Sequence, residues 1–293
     1  MLDRSLLREN LRVAPQQPAT CLWRAIELGH LLESGALPAD GDLLDLGCGD
    51  GRISDLVRRR LGARWELVGV DPDPAEVDLA RETGIYRRLH VAEGEHVPEP
   101  DASFGAVLSN SVLEHIADVR PVLREVSRLL RPEGTFVFTV PTPSIHRFLG
   151  GPGLLGRFAT GASTRSAYLA ALDDRVRHVT LWDEQRWREE LVEAGLRLER
   201  CSHYLSAPEV RRWETLSNAT AGVALRVLRG QGSPIEAQRR LGLKRGKPPR
   251  WLRVVGGSIG FAGAIGLRNG TSGGACLLGV ARKPGVQEAV PAS

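Results

Sequence analysis

The sequence has few cysteines, and none of them lie close together. Its four cysteines are spread over 293 residues, without a Cys-X-X-Cys motif or a cluster with histidine: Cys21, Cys48, Cys201 and Cys276. A disulfide framework or a structural zinc site requires cysteines that recur at short spacing. The sequence therefore argues against a disulfide-stapled secreted domain and predicts reduced thiols.

Long apolar runs are absent as well. The N-terminal stretch MLDRSLLRENLRV carries charges throughout and has no apolar segment of signal-peptide length, so we expect a cytoplasmic protein. The fourteen residues VVGGSIGFAGAIGL (254–267) carry no charge, but a helix needs ~20 residues to span a bilayer. The glycines in this stretch also predict that it forms a poor helix.

Neither sign of charge dominates, and no internal repeat is visible. The 39 basic and 35 acidic residues leave a net charge of +4, which is too small to indicate a nucleic-acid partner by itself. Hydrophobic residues make up 42% of the chain and charged residues 25%. These values exclude a disordered chain and a bundle of membrane helices.

The sequence does contain an alternation of strand and helix patterns. Short apolar runs rich in β-formers predict strands at 42–46, 65–70, 87–92, 104–110 and 134–141. Helical periodicity separates most of these runs. Strands that alternate with helices predict an α/β fold, in which a doubly wound and mostly parallel sheet has helices on both faces.

Glycines occupy alternate positions directly after the first predicted strand, in LLDLGCGDGR (43–52). A glycine-rich turn lets backbone amides approach a ligand closely. The turn is not a dinucleotide fingerprint, because the bulky Ile53 stands where that pattern needs a small residue, and no Gly-Lys-Ser/Thr follows for a phosphate loop. Asp45 suits a cationic ligand, and Asp71 ends the second strand, where an acid binds a ribose diol. Together these residues predict a crevice for a positively charged nucleoside.

Four motifs in order resemble those of class I S-adenosylmethionine-dependent methyltransferases. They are LLDLGCGDG, VGVDPDP, HVAEGEHVPEPDASFGAVLSNSVLEHI and LLRPEGTFVFTVP. The resemblance is close over about 40–141 and loose from there to 283. It implies a Rossmann-like sheet of seven strands, an enzyme of the transferase class, and S-adenosyl-L-methionine as cofactor.

The same resemblance implies a cofactor site at the carboxyl ends of the strands. Its residues are Asp45, Gly47, Cys48, Gly49, Gly51, Asp71, Pro72, Glu93, Gly94 and Asn110. In the family, residues in the positions of Asp45 to Gly49 border the methionine group, and that of Asp71 binds the ribose hydroxyls. Glu93-Gly94 falls where the family contacts adenine, and Asn110 where it approaches the sulfonium. The alternative for each acid is a solvated turn residue or a helix N-cap.

Methyl transfer from a sulfonium is an in-line displacement, and a hydroxyl acceptor must also lose a proton. Histidine is the usual base near neutral pH, and the candidates are His115, His146 and His178; a structural or surface role is the alternative for each. The Glu114-His115 pair is similar to that of ubiquinone-type O-methyltransferases, in which an earlier Glu helps to bind a metal. Ser111 stands at that earlier position here, so we expect no metal.

A basic and glycine-rich insertion is predicted between the last two strands, at 206–274. From Arg226 to Arg253 the basic residues outnumber one acid, Glu236; they are Arg226, Arg229, Arg239, Arg240, Lys244, Arg245, Lys247, Arg250 and Arg253. Basic residues beside an apolar segment indicate a peripheral membrane contact through 226–270. The alternatives are a wall of the acceptor site or a homodimer contact. Nucleic acid is not indicated, because no aromatic stacking platform accompanies the arginines.

The predicted organisation has six parts. They are an N-terminal helical segment (1–40), the cofactor-binding core (41–141), a glycine-rich cover on the substrate side (142–182), completion of the core sheet (183–205 and 275–284), the insertion (206–274) and a tail (285–293). The glycines of the cover are more typical of a mobile segment over a site than of a core element.

The function predicted from these features is methyl transfer to a small organic acceptor in biosynthesis, at oxygen, with nitrogen and carbon left open. One alternative is a lipid-linked or membrane-associated acceptor. Another is a protein that kept the fold and cofactor site but performs non-methylating chemistry or serves as a binding module.

Overall fold

The computed structural model describes residues 2–222, 249–265 and 274–285. The strands are β1 (Asp40–Leu46), β2 (Arg64–Asp71), β3 (Tyr86–Val91), β4 (Phe104–Asn110), β5 (Leu130–Pro141), β6 (Arg197–Tyr204) and β7 (Cys276–Arg282). The helices are α1 (Arg4–Val13), α2 (Pro18–Glu33), α3 (Arg52–Leu61), α4 (Pro74–Thr83), α5 (Arg120–Leu129), α6 (Ser144–Phe148), α7 (Leu154–Thr160), α8 (Arg165–Val176), α9 (Glu184–Glu193), α10 (Ala207–Ser217) and α11 (Arg250–Ala264). A 3-10 turn (Leu113–His115) follows β4, and a π-helical turn (Asn218–Gly222) follows α10.

The strands form one sheet in the order β3-β2-β1-β4-β5-β7-β6. The pairs of β1 with β2, β1 with β4, β2 with β3 and β4 with β5 are parallel. Strand β7 runs antiparallel to β5, since Glu133 donates its N–H to the Lys283 carbonyl and Lys283 donates to the Gly134 carbonyl. The sheet confirms the predicted doubly wound fold. Its order reverses between β1 and β4, which opens a crevice at their carboxyl ends.

Two compact units make up the chain. One contains most of the sheet and is drawn from Ser34–Val140, Trp182–Ser202 and Leu277–Ser293; the other is mainly helical and is drawn from Met1–Glu33, Pro141–Leu181 and His203–Cys276. We call them the sheet unit and the helical unit. Parts of the predicted N-terminal segment, cover and insertion thus share one unit. The basic residues from Arg226 to Lys247 and the predicted tail beyond Gly285 lie outside the described residues.

Aromatic side chains fill the core of the sheet unit. The rings of Phe136 and Phe138 stack with centroids 4.9 Å apart, and Trp187 of α9 packs on Phe138 at the same distance. All three are buried. Strand β7 can pass beside these rings because residue 279 is glycine, whose added Cβ would overlap the Phe138 ring. The sheet that carries the crevice therefore rests on a closely packed aromatic layer.

The glycine-rich segment 142–182 is more regular than its composition indicates. It forms α6, α7 and α8, and two of its glycines flank α7: Gly153 precedes the helix and Gly161 follows it with φ of +76°. Tyr168 and Leu172 of α8 are buried. Gly153 and Gly161 are thus capping residues of α7, and the role of 142–182 as a cover on the substrate side stays a prediction.

The prediction that 254–267 forms a poor helix is wrong, since most of this stretch lies in α11. Its glycines Gly256, Gly260 and Gly263 are buried, and an added Cβ would overlap Pro15, Leu11 and Leu216 respectively. Packing against α1 and α10 within the helical unit thus outweighs the low helix propensity of glycine. No helix within the described ranges is both long and apolar enough to cross a bilayer.

Candidate cofactor and active site

The glycine-rich turn after β1 requires its glycines for backbone reasons. Gly47, Gly49 and Gly51 have φ of +78°, +50° and +73°, in the left-handed region that side chains with a Cβ rarely adopt. The N–H groups of Gly47 and Cys48 both donate to the carbonyl of Val70, at 2.8 and 2.9 Å. The turn is thus held against the end of β2, and α3 begins directly after it.

Close packing is the second reason for these glycines. A Cβ on Gly47 would lie 2.6 Å from Cγ1 of Val112, and one on Gly51 would lie 2.8 Å from the Tyr86 ring. Val112 belongs to the segment after β4. The turn therefore contacts the chain that leaves β4 on one side and the Tyr86 ring on the other.

Asp71 connects the glycine-rich turn to the end of β2. Its Oδ2 accepts from the N–H of Gly49 and its Oδ1 from the N–H of Asp73, both at 2.9 Å. Partial burial raises the pKa of Asp71, and these two hydrogen bonds oppose that change. Each carboxylate oxygen can accept a further bond. Asp71 can therefore hold the turn and still accept from the two hydroxyls of a ribose, and Pro72 beside it is exposed.

Asp45 is buried, with 3% of its surface exposed, and accepts from the hydroxyl of Tyr86 at 2.6 Å. Burial raises the pKa of Asp45 to about 6, and the charge of Asp71 adds to the rise, whereas hydrogen bonds from Ser54 and Tyr86 oppose it. The site thus contains an acid whose charged form is poorly solvated. A cationic group nearby would favour that charged form, which fits a sulfonium and ammonium ligand.

Tyr86 is a site residue that the sequence analysis missed. It begins β3 and crosses β2 at Gly69, where an added Cβ would lie 2.8 Å from its ring. Burial and the charge of Asp45 raise the pKa of Tyr86, so its hydroxyl stays protonated and donates. The signal that could have revealed it is Gly69, because a glycine inside a buried strand often marks a close approach.

The remaining predicted cofactor residues follow β1, β3 and β4. Because these strands and β2 are parallel, their carboxyl ends share one edge of the sheet. Cys48 is buried, and burial raises its pKa, with the charges of Asp45 and Asp71 adding to the effect. Its thiol is therefore neutral and unsuited to act as a nucleophile.

On the side of β3, Ala92 donates its N–H to the Asp71 carbonyl at 3.2 Å. Glu93 is exposed, and Gly94 is half-buried against Leu46 and Val122. On the side of β4, Asn110 ends the strand, and Ser111 has φ of +52°. A non-glycine residue in this conformation stores strain, which is typical of functional sites.

The candidate histidines fall in both units. His115 ends the 3-10 turn after β4 in the sheet unit, and its Nε2 lies 4.0 Å from Oε1 of Glu114. His146 and His178 belong to the helical unit, where they meet at Asp173. Nε2 of His146 lies 2.9 Å from Oδ2 of Asp173, and Nδ1 of His178 lies 3.9 Å from Oδ1. Two of the three candidates thus share one carboxylate.

Comparisons with known proteins indicate the family that this chain resembles. The family described as "Methyltransferase domain" matches residues 44–138. The ubiquinone biosynthesis O-methyltransferase of Azorhizobium caulinodans is 31% identical over 110 residues, which cover 36% of this chain and 42% of that protein. The dimethylglycine N-methyltransferase of Parasynechococcus marenigrum is 40% identical over 114 residues, which cover 36% and 39%. The chain thus spans less than half the length of each relative.

A solved structure has the same fold over most of the chain. This protein of Galdieria sulphuraria, assigned as a sarcosine dimethylglycine methyltransferase, is 18% identical with a TM-score of 0.52, covering 89% of this chain and 84% of that one. The family match over residues 44–138 includes the strands that carry Asp45, Asp71 and the glycine-rich turn. Residues 44–138 therefore match the methyltransferase domain family, and the solved structure shows the same fold over most of the chain.

Proposed function

We propose that this chain transfers the methyl group of S-adenosyl-L-methionine to an oxygen of a small organic acceptor. The observation that carries the proposal is the glycine-rich turn held by Asp71 next to the buried acid Asp45, within the matched residues 44–138. When bound, S-adenosyl-L-methionine supplies a methyl group on sulfonium that is already activated for displacement.

The residues of the sheet unit bind and orient in this proposal. Asp71 accepts hydrogen bonds from the ribose hydroxyls, and the glycine-rich turn lets the methionine group lie against the backbone. Asp45 supplies negative charge for a cationic ligand. Glu93-Gly94 borders the adenine, and Asn110 lies at the end of β4, where the sulfonium would be.

We place the general base at His115 in this scheme, because it follows β4 within the sheet unit that also carries Asp45, Asp71 and Asn110. His115 would take the hydroxyl proton of the acceptor. His146 and His178 are the alternatives, and a nitrogen acceptor would need the same proton removal if it enters protonated.

The test is product analysis with the full chain and S-adenosyl-L-methionine. A phenol, a carboxylic acid and a secondary amine serve as acceptor probes, and mass spectrometry follows both the acceptor and the released S-adenosylhomocysteine. We expect a gain of one CH2 unit on an oxygen acceptor, with stoichiometric S-adenosylhomocysteine. Cofactor binding by calorimetry without methylated product or S-adenosylhomocysteine would instead support the non-methylating alternative.

Variants of the three histidines assign the base. His115→Gln should lower kcat by on the order of 10²–10⁴ with cofactor affinity unchanged, whereas His146→Gln and His178→Gln should keep most of the activity. If His146→Gln or His178→Gln has the large effect and His115→Gln does not, His115 is not the base.

A further inference from the structure

Helix α11 presents its large apolar side chains to the outside. The exposed ones lie on one face, and they are Trp251 (66% exposed), Val254 (68%), Val255 (49%), Ile259 (36%) and, directly after the helix, Ile265 (67%). Their spacing is that of a single helical stripe. We call these five residues the apolar face of α11. A stripe of this kind normally faces a core, so its exposure indicates a partner.

The opposite face of α11 is built from small residues. Gly256, Gly260, Gly263 and Ala264 are buried, and the glycines pack directly on Pro15, Leu11 and Leu216 in the helical unit. A helix rotated to bury its valines and isoleucines would place them where even one Cβ has no room. The apolar face is therefore fixed outward by the packing of α11.

Basic side chains lie near both ends of α11. Arg250 and Arg253 are exposed in the first turns of the helix, where no acid accompanies them. At the other end Arg212 donates to the Ile265 carbonyl at 3.4 Å, and the Arg8 guanidinium lies 5.9 Å from the centre of the Phe261 ring.

The sequence that precedes the helix is also rich in basic residues. Between Arg226 and Lys247 it has seven basic residues and one acid, Glu236; the basic residues are Arg226, Arg229, Arg239, Arg240, Lys244, Arg245 and Lys247. A polybasic segment next to an apolar helical face containing tryptophan is the combination that binds the surface of an anionic membrane.

We propose that the apolar face of α11 inserts into the interfacial layer of an anionic lipid bilayer, with the flanking arginines at the lipid phosphates. The helix has 15 residues, too few to span a bilayer, so it lies in the membrane plane. Trp251 would sit at the headgroup level, where tryptophan is enriched. A second copy of the chain is a poorer occupant, because a symmetric contact would bring the two sets of arginines together. The binding surface does not depend on the proposed methyl transfer.

The experiment is co-sedimentation of the full chain with vesicles, without cofactor or acceptor. One set of vesicles is pure phosphatidylcholine, and the other contains phosphatidylglycerol as well. We expect binding to the second set, at least tenfold weaker binding to the first, and a steep loss on raising the salt concentration. Equal binding to both sets, or binding to neither, would overturn the proposal.

A pair of matched variants locates the contact. Val254→Glu is in the apolar face, and Val192→Glu makes the same change at a similarly exposed valine of α9 (59% exposed). We expect Val254→Glu to weaken vesicle binding at least tenfold, and Val192→Glu to bind as the unchanged chain does. Circular dichroism and thermal melting establish that both variants are folded. Wild-type binding by folded Val254→Glu would exclude the apolar face as the contact.

Analytical ultracentrifugation tests whether a second copy of the chain covers the apolar face of α11 instead. A concentration-dependent dimer that Val254→Glu abolishes would show that a second copy covers the face, and would overturn the proposal. Because vesicle binding is measured without cofactor or acceptor, its failure leaves the test of methyl transfer untouched, and the reverse also holds.

Discussion

At the scale of the residue, the candidate site depends on two acids with different environments. Asp71 accepts two backbone N–H bonds and remains partly exposed, whereas Asp45 is buried and accepts from Tyr86. The first is arranged to accept further hydrogen bonds, and the second to hold a negative charge where water does not reach. These two environments lead to separate predictions.

Replacing Asp71 by alanine should weaken the binding of S-adenosyl-L-methionine by on the order of 1–3 kcal/mol, because hydrogen bonds to a charged group are lost. Part of the loss would come from Gly49, whose N–H donates to Asp71. Isothermal titration calorimetry measures the affinity of each variant for S-adenosyl-L-methionine. The control is Asp78→Ala, an exposed acid on α4 whose partner is Arg81, which should leave the affinity unchanged. Unchanged affinity in Asp71→Ala would remove the assigned ribose contact.

Tyr86→Phe keeps the ring between Gly51 and Gly69 but removes the hydroxyl that donates to Asp45. Because that hydrogen bond opposes the effect of burial on Asp45, the pKa of Asp45 should rise further. The pH below which cofactor affinity declines should therefore be higher in the variant than in the wild type. Titrations of cofactor affinity between about pH 5 and about pH 8 measure this shift, because the pKa of Asp45 is about 6 in the wild type. An identical pH profile would mean that Asp45 does not contribute to cofactor binding.

The sequence could place Asp45 and Asp71 together but not Tyr86. The two acids lie near the carboxyl ends of β1 and β2, which parallel topology alone brings to one edge of the sheet. Tyr86 is separated from Asp45 by 41 positions, and their contact depends on the ring crossing β2 at a glycine. Side-chain reach across a strand is a tertiary property that periodicity does not encode.

At the scale of the element, glycine has two different structural roles in this chain, and composition alone does not distinguish them. In the turn after β1 it supplies positive φ; in α11 it supplies a flat face for close helix packing. The role in the turn could be predicted from the sequence, because an apolar strand directly precedes the glycines. The role in α11 could not, because the residues that pack on these glycines, Leu11, Pro15 and Leu216, are distant in the sequence.

Adjacent glycines of α11 provide a direct test of this explanation. Gly256 is buried, and an added Cβ would overlap the Pro15 backbone, whereas nothing lies within 4 Å of a Cβ added at Gly257. Gly256→Ala should therefore destabilise the protein by about 1–3 kcal/mol through overpacking. Gly257→Ala should stabilise it by up to about 1 kcal/mol through helix propensity. Chemical denaturation measures both, and equal effects of the two substitutions would contradict the packing assigned to α11.

At the scale of the whole molecule, the cofactor site reduces the stability of the free protein. The folded chain raises the pKa of Asp45 from an ordinary value of 3.8 to about 6, so the folded state binds a proton more tightly than the unfolded state does. Stability contributed by this group is present at low pH and is lost as the pH rises from about 4 to about 6. Above that window the ionised acid costs on the order of 3 kcal/mol.

Asp45→Asn removes the destabilisation caused by the buried charge and should also remove the contribution of Asp45 to cofactor binding. The variant should gain stability over the wild type as the pH rises from 4 to 7, by up to about 3 kcal/mol, while its affinity for S-adenosyl-L-methionine decreases. A saturating cationic ligand should recover the lost stability in the wild type, by about 2.7 kcal/mol at a ligand concentration of 100 times Kd. Thermal melts across this pH range, with and without ligand, measure each effect. If the difference in stability between variant and wild type does not change with pH, the ionisation of Asp45 does not lower the stability of the folded chain. If the variant also binds S-adenosyl-L-methionine as tightly as the wild type does, Asp45 is a structural residue rather than a partner of the cofactor.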